Sequence, residues 1–327
     1  MSRTSTDRVR HALNGPTMGT RWSALVHAAP GFDPAPLHAA LQAAVDEVDA
    51  QMSTWRRDSD LMRLNAAPVG AWVAVPPGLI EVLRLGVEIG RASGGAFDIG
   101  MGDAVMAWGF GPRTADPDAI RAAMRARRPA HEALDLDAAA GRARRNAPLS
   151  LDLSGIAKGY AVDRLAGTLA GFGLVSGLVG IDGEMRALGL RPDGEPWTVA
   201  VEAPDPDRRA PQAILALDDA AVATSGDYRH RVEVQGRRLS HTMDPRRGAP
   251  LLESPASVTV VARTCAEADA WATALMVLGA EAGSRLARRL GLDVLFLVRD
   301  DASRIRTATV GHLFTRAPAA RTAAEAD

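Results

Sequence analysis

The chain has 327 residues with 38 basic and 39 acidic side chains, a formal net charge of −1 and one cysteine, Cys265. One cysteine excludes an internal disulfide and any zinc site of several thiolates, and the balanced charge gives no general attraction to a polyanion, so no nucleic-acid partner is expected. Every basic residue except Lys158 is an arginine, and 47% hydrophobic with 24% charged content is that of an ordinary globular chain.

Met1 to Asn14 reads as a polar, flexible start. It has no apolar stretch of signal length and no cysteine to carry a lipid, which makes the cytoplasm the expected compartment. Thr20 to His27 alternates as a strand. Leu37, Leu41, Val45, Val48 and Met52 fall at helical spacing behind Pro36, predicting a helix to Met52. Trp72 to Val75 reads as a short strand, Pro77 to Arg91 as a helix stopped by Ser93-Gly94-Gly95, and Asp116 to Arg127 as a surface helix. Leu149 to Leu153 predicts a strand that runs almost directly into a helix from Ile156 to Ala170.

The second half is richer in strands, at Leu178 to Ile181, Trp197 to Glu202, Ala213 to Leu217, Ala221 to Thr224, Arg231 to Gln235 and Ser257 to Ala262. Asp218-Asp219 and Gly236 read as hairpin turns between them. Helices follow from Cys265 to Leu278 and from Ala282 to Leu290, then strands from Asp293 to Val298 and Ile305 to Val310. Antiparallel-type strands interrupted by a few helices predict an α+β fold, not a repeating βαβ wind. No run approaches the ~20 apolar residues of a membrane helix, so no membrane insertion is expected.

Four segments could carry chemistry. Asp152 to Asp163 holds a carboxylate at a strand end, a small-residue turn, and Lys158 in the first turn of a helix. This geometry can hold a phosphate or a metal-bound phosphate; the same residues also describe an ordinary connection with Ser154 as N-cap and Lys158 in solvent. The lysine tilts the balance, because its ammonium is a compact point charge that arginine's planar fork does not reproduce. Asp269 and Thr273 are four apart on a predicted helix and share one face. Hard oxygens at that spacing suit Mg²⁺, though a Thr273 hydroxyl bonded back to the Asp269 carbonyl is the plainer alternative.

His241 precedes a turn ending at Gly248 and is a candidate general base. Upstream, Ser225 lacks the flanking glycine pattern of a nucleophile elbow. Gly94 to Gly100 and Trp108 to Gly111 form a glycine-rich stretch with interleaved aromatics. It is neither a dinucleotide fingerprint nor a P-loop. Trp55, Phe97 and Trp108 suggest a planar ligand, and core packing accounts for each of them equally well.

Taken in order, these segments resemble the ApbE-type flavin transferase family, the FAD:protein FMN transferases. The resemblance rests on Met18-Gly19-Thr20, Met52 to Arg56 with Asp58, Ser59 and Asn65, Gly95 to Asp98, and Trp108 to Gly111. It continues through Asp152 to Asp163, Gly183-Glu184, Ala223 to Tyr228, Ser240-His241, Asp244-Pro245, Gly248, Glu267 to Asp269 and Ala272-Thr273. Trp55 stands where that family often has tyrosine.

The resemblance implies a T-fold-like architecture, with mixed, largely antiparallel sheets and packed helices around a central FAD crevice. It implies one domain over residues 15–312, between a flexible start (1–14) and a flexible tail (313–327). It further implies transfer of FMN from FAD to a Ser or Thr hydroxyl of an acceptor protein carrying a D-G-x-[S/T]-G-A-T type motif, with release of AMP. Residue by residue, FAD would contact Met18, Trp55, Ala96, Phe97, Asp98, Asp152, Lys158 and Met243. Mg²⁺ would be held by the Gly155 carbonyl and by Asp269 and Thr273, with Asp269 and His241 as the catalytic pair. A Mg²⁺-dependent FAD pyrophosphatase and a non-catalytic FAD carrier are the competing readings.

Overall fold

The computed structural model describes residues 8–314 apart from 113, 126–127, 206–209, 228–230, 235–236, 301 and 303. The chain opens with β1 (Val9–Thr17) and β2 (Thr20–Ala28), joined at Met18 and Gly19, both at positive φ (45° and 73°). That two-residue turn matches the twist of an antiparallel pair. The expected flexible start is therefore corrected: Val9 to Asn14 is paired residue by residue with Ser23 to Ala28. Its exposed positions alternate from Arg10 to Pro16 on an outer strand, where only Gly15 and Thr17 are buried.

Helix α1 (Pro34–Met52) starts at Asp33, whose carboxylate accepts from the Ala35 N–H, and buries Leu37, Leu41, Val45, Val48 and Met52 as their spacing requires. The succession continues with α2 (Asp60–Ala66), β3 (Val73–Ala74), α3 (Pro77–Ala92), α4 (Gly102–Ala107), α5 (Pro117–Ala123), α6 (Ala130–Ala133), β4 (Leu134–Asp137) and β5 (Arg142–Arg145). Leu149 to Leu153 is extended but joins no sheet. Its backbone pairs on one side with a side chain, Asn65 Nδ2 donating to Leu151 O at 2.9 Å and Leu151 N–H to Asn65 Oδ1 at 2.8 Å, and on the other with the stretch from Ile99 to Gly102, through an isolated parallel bridge of Ser150 with Met101.

Next come α7 (Ala157–Gly171), β6 (Gly177–Ile181), β7 (Glu184–Leu188), β8 (Trp197–Glu202), β9 (Pro211–Leu217) and β10 (Ala221–Gly226). The small pairs β11 (Arg231–Val234) with β12 (Arg237–Ser240), and β13 (Met243–Asp244) with β14 (Ala249–Pro250), precede β15 (Ser257–Ala262), α8 (Cys265–Leu290), β16 (Asp293–Arg299) and β17 (Ile305–Val310). Gly236, read as a turn, lies outside the described residues. The two helices expected at the C-terminal end are both present within α8, which breaks at Gly279, where φ 73° and ψ 172° are not helical.

The main sheet has eight strands in the order β1-β2-β6-β7-β10-β15-β16-β17, and every neighbouring pair is antiparallel. Asp218-Asp219 does reverse the chain, with Asp219 at φ 44°. The expected hairpin does not follow, because β9 pairs with β8 while β10 enters the main sheet between β7 and β15. Helices α1, α7 and α8 cover one face over the larger core, and β8 with β9 covers part of the other over a smaller one. This is the α+β arrangement read from the sequence. Among the described residues no helix is long and apolar enough to cross a membrane.

Helices α7 and α8 meet at their N-terminal ends with almost no space between them. A Cβ placed on Gly159 would lie 2.3 Å from the Cys265 carbonyl oxygen and 2.8 Å from Asp269 Cβ. Gly159→Ala must therefore push the helices apart, and an overpacked contact of this kind costs roughly 1–3 kcal/mol. Urea denaturation should show that loss, whereas Gly167→Ala, on the same helix with open space around it, should be neutral or stabilising.

Candidate active site

The main sheet has a notch in it. Strand β7 pairs with β10 only at Arg186 with Ala221 and Met185 with Val222. Beyond that point Asp182 (φ 50°) and Gly183 (φ 113°) turn the chain back into β6, while β10 runs on to Gly226. A cavity of about 1190 Å³ opens there, with Thr224, Ser225 and Gly226 of β10 and Asp182, Gly183 and Glu184 of the turn in its wall.

Every site residue proposed from the sequence reaches this cavity. Asp269 and Thr273 come from α8, Gly155 and Lys158 from the entry to α7, and Asp152 from the extended run before it. Met18 arrives on the β1–β2 turn, Ala96, Phe97 and Asp98 on the glycine-rich stretch, Trp55 and His241 from connections, and Met243 from β13.

The Asp269 carboxylate is buried, at 5% exposure, and its Oδ2 accepts from the Gly159 N–H at 3.0 Å. Burial, with Glu184 nearby, pushes its pKa up to about 7 against the opposing pull of Lys158 and the Gly159 N–H. Thr273 Oγ1 lies 3.2 Å from Ser225 Oγ. A Cβ on Gly155 would meet Thr273 Oγ1 at 3.2 Å and Phe97 Cε2 at 3.2 Å, so the Gly155 backbone sits against the same hydroxyl.

The Asp269 carboxylate and the Thr273 hydroxyl, with the Gly155 backbone beside that hydroxyl, offer a hard-oxygen set. Among the described residues no group of three or more His, Cys, Asp or Glu is placed to hold a metal, so an all-protein cage is absent there. The set fits a cation that keeps waters and takes its remaining ligands from a substrate. A buried carboxylate whose charged form is disfavoured by desolvation is also one that a bound cation would stabilise.

Lys158 is not a free cation. Its Nζ lies 2.7 Å from Glu184 Oε1 and 3.9 Å from Asp182 Oδ2. Burial lowers its pKa, but the charges of Glu184 and Asp269 outweigh this and leave it raised. Glu184 is itself 3% exposed, and its Oε2 has no hydrogen-bond partner. Burial raises the Glu184 pKa against the pull of Lys158. With Asp182, Glu184 and Asp269 set against one lysine, the floor suits a divalent cation better than a bare anion.

Asp152 Oδ1 accepts from the Ser154 N–H at 2.8 Å, and desolvation raises its pKa against that bond. Ser154 is exposed and caps nothing; Ile156 occupies the N-cap position of α7, with no side-chain cap. Asp98 works as a staple, since its Oδ1 accepts from the N–H groups of Gly100 at 2.8 Å and Ala130 at 3.0 Å.

The three aromatics part company. Trp55 is 65% exposed at the rim and leaves a ring face open. Phe97 is a buried wall. Trp108 lies outside the lining and donates from Nε1 to Gly248 O at 3.0 Å, steadying the turn after His241. Met243 packs with Met101 and Ala104 beneath that turn. Sequence reasoning gave no role to Glu184, Asp182 or Ser225. The signal for the two acids was the Asp182-Gly183 reversal, which drives Glu184 inward at the start of a short strand.

The ApbE family model matches residues 18–296. A FAD:protein FMN transferase of Klebsiella pneumoniae (strain 342) is 38% identical over 295 residues, covering 88% of this chain and 84% of that protein. One of Vibrio cholerae is 39% identical over 294 residues, covering 88% and 87%. The solved structure of a flavin transferase ApbE from Vibrio cholerae superposes with a TM-score of 0.82 at 35% identity, covering 92% of this chain and 97% of that one. The apo form of the Pseudomonas stutzeri flavinyl transferase ApbE gives 0.81 at 38%, covering 92% and 95%.

Lys158→Met would strand the Glu184 carboxylate. Breaking a fully buried pair costs ~3–5 kcal/mol; the lysine side chain keeps 31% of its surface, which reduces the expected loss to about 2 kcal/mol. Urea denaturation should show Lys158→Met with Glu184→Gln recovering most of it, a coupling that two independent sites would not give.

Proposed function

Because the chain belongs to the ApbE family, we propose that it is a transferase that moves FMN from FAD to a Ser or Thr hydroxyl of an acceptor protein and releases AMP. The observation that carries this reading is the convergence in one cavity of the hard-oxygen set, a paired lysine and an open aromatic rim. Its volume of about 1190 Å³ exceeds the ~300–1,000 Å³ of most small-molecule sites, leaving space for a dinucleotide and a second reactant.

In this reading Trp55 offers its ring face to the isoalloxazine, and Met18, Ala96, Phe97 and Met243 line the nucleotide path. Asp98 fixes the loop that carries Ala96 and Phe97. Asp152 and the Lys158–Glu184 pair border the pyrophosphate. Gly155 O, Asp269 and Thr273 would hold Mg²⁺, which when bound supplies charge neutralisation to the pyrophosphate oxygens. The acceptor hydroxyl forms a bond to the FMN-side phosphorus as the bond to the AMP phosphate breaks. Its proton passes to His241, which stands in the cavity wall.

Incubation of the protein with FAD, Mg²⁺ and a peptide bearing a D-G-x-[S/T]-G-A-T segment should give covalent FMN on the peptide by mass spectrometry. Free FMN alone would identify a pyrophosphatase, and no product a carrier. Asp269→Ala should lower transfer by on the order of a hundredfold or more, and His241→Ala by on the order of a hundredfold with FAD binding retained. Transfer by His241→Ala at the wild-type rate would remove the base assignment.

A further inference from the structure

The notch leaves a length of β10 with a β partner on one side only. Toward β15 the strand is paired throughout, from Ala221 with Ala262 to Gly226 with Ser257. Toward β7 the pairing stops at Val222. Along a strand the N–H and C=O groups of successive residues point to alternate sides. The Ala187 N–H donates to Ala220 O at 2.9 Å on the β7 side, whereas the Asp227 N–H donates to Ala256 O at 3.1 Å on the β15 side. Thr224 and Gly226 share the parity of Ala220, so their main-chain groups face the notch, where no described strand meets them. Both residues line the cavity.

Such an edge fits one kind of occupant. An extended peptide presents N–H and C=O groups at the same two-residue period, and addition of a strand to an open edge is an established mode of peptide recognition. A strand laid beside β10 would run about 4.8 Å from it. Between Thr224 and Gly226 stands Ser225, whose Oγ is 3.2 Å from Thr273 Oγ1. A chain docked there would run one strand spacing from the backbone of the residue whose hydroxyl touches Thr273.

We propose that the acceptor protein docks by adding an extended segment to the open edge of β10 at Thr224 and Gly226, in the place a longer β7 would fill, which sets the acceptor hydroxyl over Thr273 and Asp269. This rests on the transfer reaction proposed above. It implies that acceptor choice depends on main-chain pairing as well as on side chains, and that the acceptor residue must lie in a segment able to become extended.

The test is a positional N-methyl scan of a synthetic acceptor peptide centred on Asp-Gly-x-Thr-Gly-Ala-Thr, read as kcat/KM for FMN transfer by the wild-type protein. N-methylation removes one main-chain donor and leaves every side chain in place. The expected result is a loss of roughly tenfold or more at amides two residues apart, with the amide between them tolerated. Losses that follow no two-residue period, or a scan without loss, would overturn strand addition while leaving the transfer reaction standing. Failure of the unmethylated peptide to accept FMN, with FAD bound, would overturn both. Protection of the Thr224 and Gly226 amides from hydrogen exchange by FAD alone, undiminished when the peptide is absent, would assign the edge to the nucleotide and also overturn the proposal.

Discussion

One carboxylate holds the site elements together. Asp163, on α7, accepts from the Cys265 N–H at 2.8 Å and the Ala266 N–H at 2.9 Å, the first two free donors of α8, and from Arg186 Nη1 of β7 at 2.6 Å. Burial pushes its pKa up while these bonds work against that shift. A helix N-terminus has unsatisfied donors and a partial positive charge, both of which a buried carboxylate answers. Thr264 and Glu267 satisfy further donors in a reciprocal cap. Lys158, Glu184, Asp269 and Thr273 ride on these same three elements, so their mutual positions follow from how α7, β7 and the start of α8 are fastened.

The fastening also explains two small residues. Gly159 lets α7 approach α8 closely enough for its own N–H to reach Asp269. Cys265 fills the junction as a fully buried thiol whose pKa burial raises well above its ordinary value. It is a packing residue, and its environment opposes thiolate formation.

Much of the site was legible because its chemistry coincides with simple local periodicity. Asp269 and Thr273 share a face by helical spacing, and Lys158 stood out against a background of arginine. The polar partner of Lys158 was not legible. Glu184 becomes buried only because an Asp-Gly turn ends β6 early, and its proximity to Lys158 spans 26 positions in sequence. Leu149 to Leu153 has the alternation of a strand, and its three leucines are buried. Periodicity cannot reveal that its partners are a side chain, Asn65, on one side and a single parallel bridge, Ser150 with Met101, on the other. Asp218-Asp219 shows the matching limit, since a turn residue signals a reversal and says nothing of which sheet the chain enters next. β1 was hidden by the opposite effect, its exposed polar residues outnumbering those it buries.

Among the described residues the eight-stranded sheet has three edges without a neighbouring strand, and they are protected in different ways. The outer edge of β1 carries Arg10 and Pro16, and that of β17 carries Arg306; charge and a missing donor discourage pairing with another folded sheet. The third edge, at Thr224 to Gly226, has neither device. It needs none, because it is recessed within a cavity, where the broad edge of a second sheet cannot enter and a single extended chain can. The protein can thus expose sticky backbone without the self-association that an equally bare outer strand would invite.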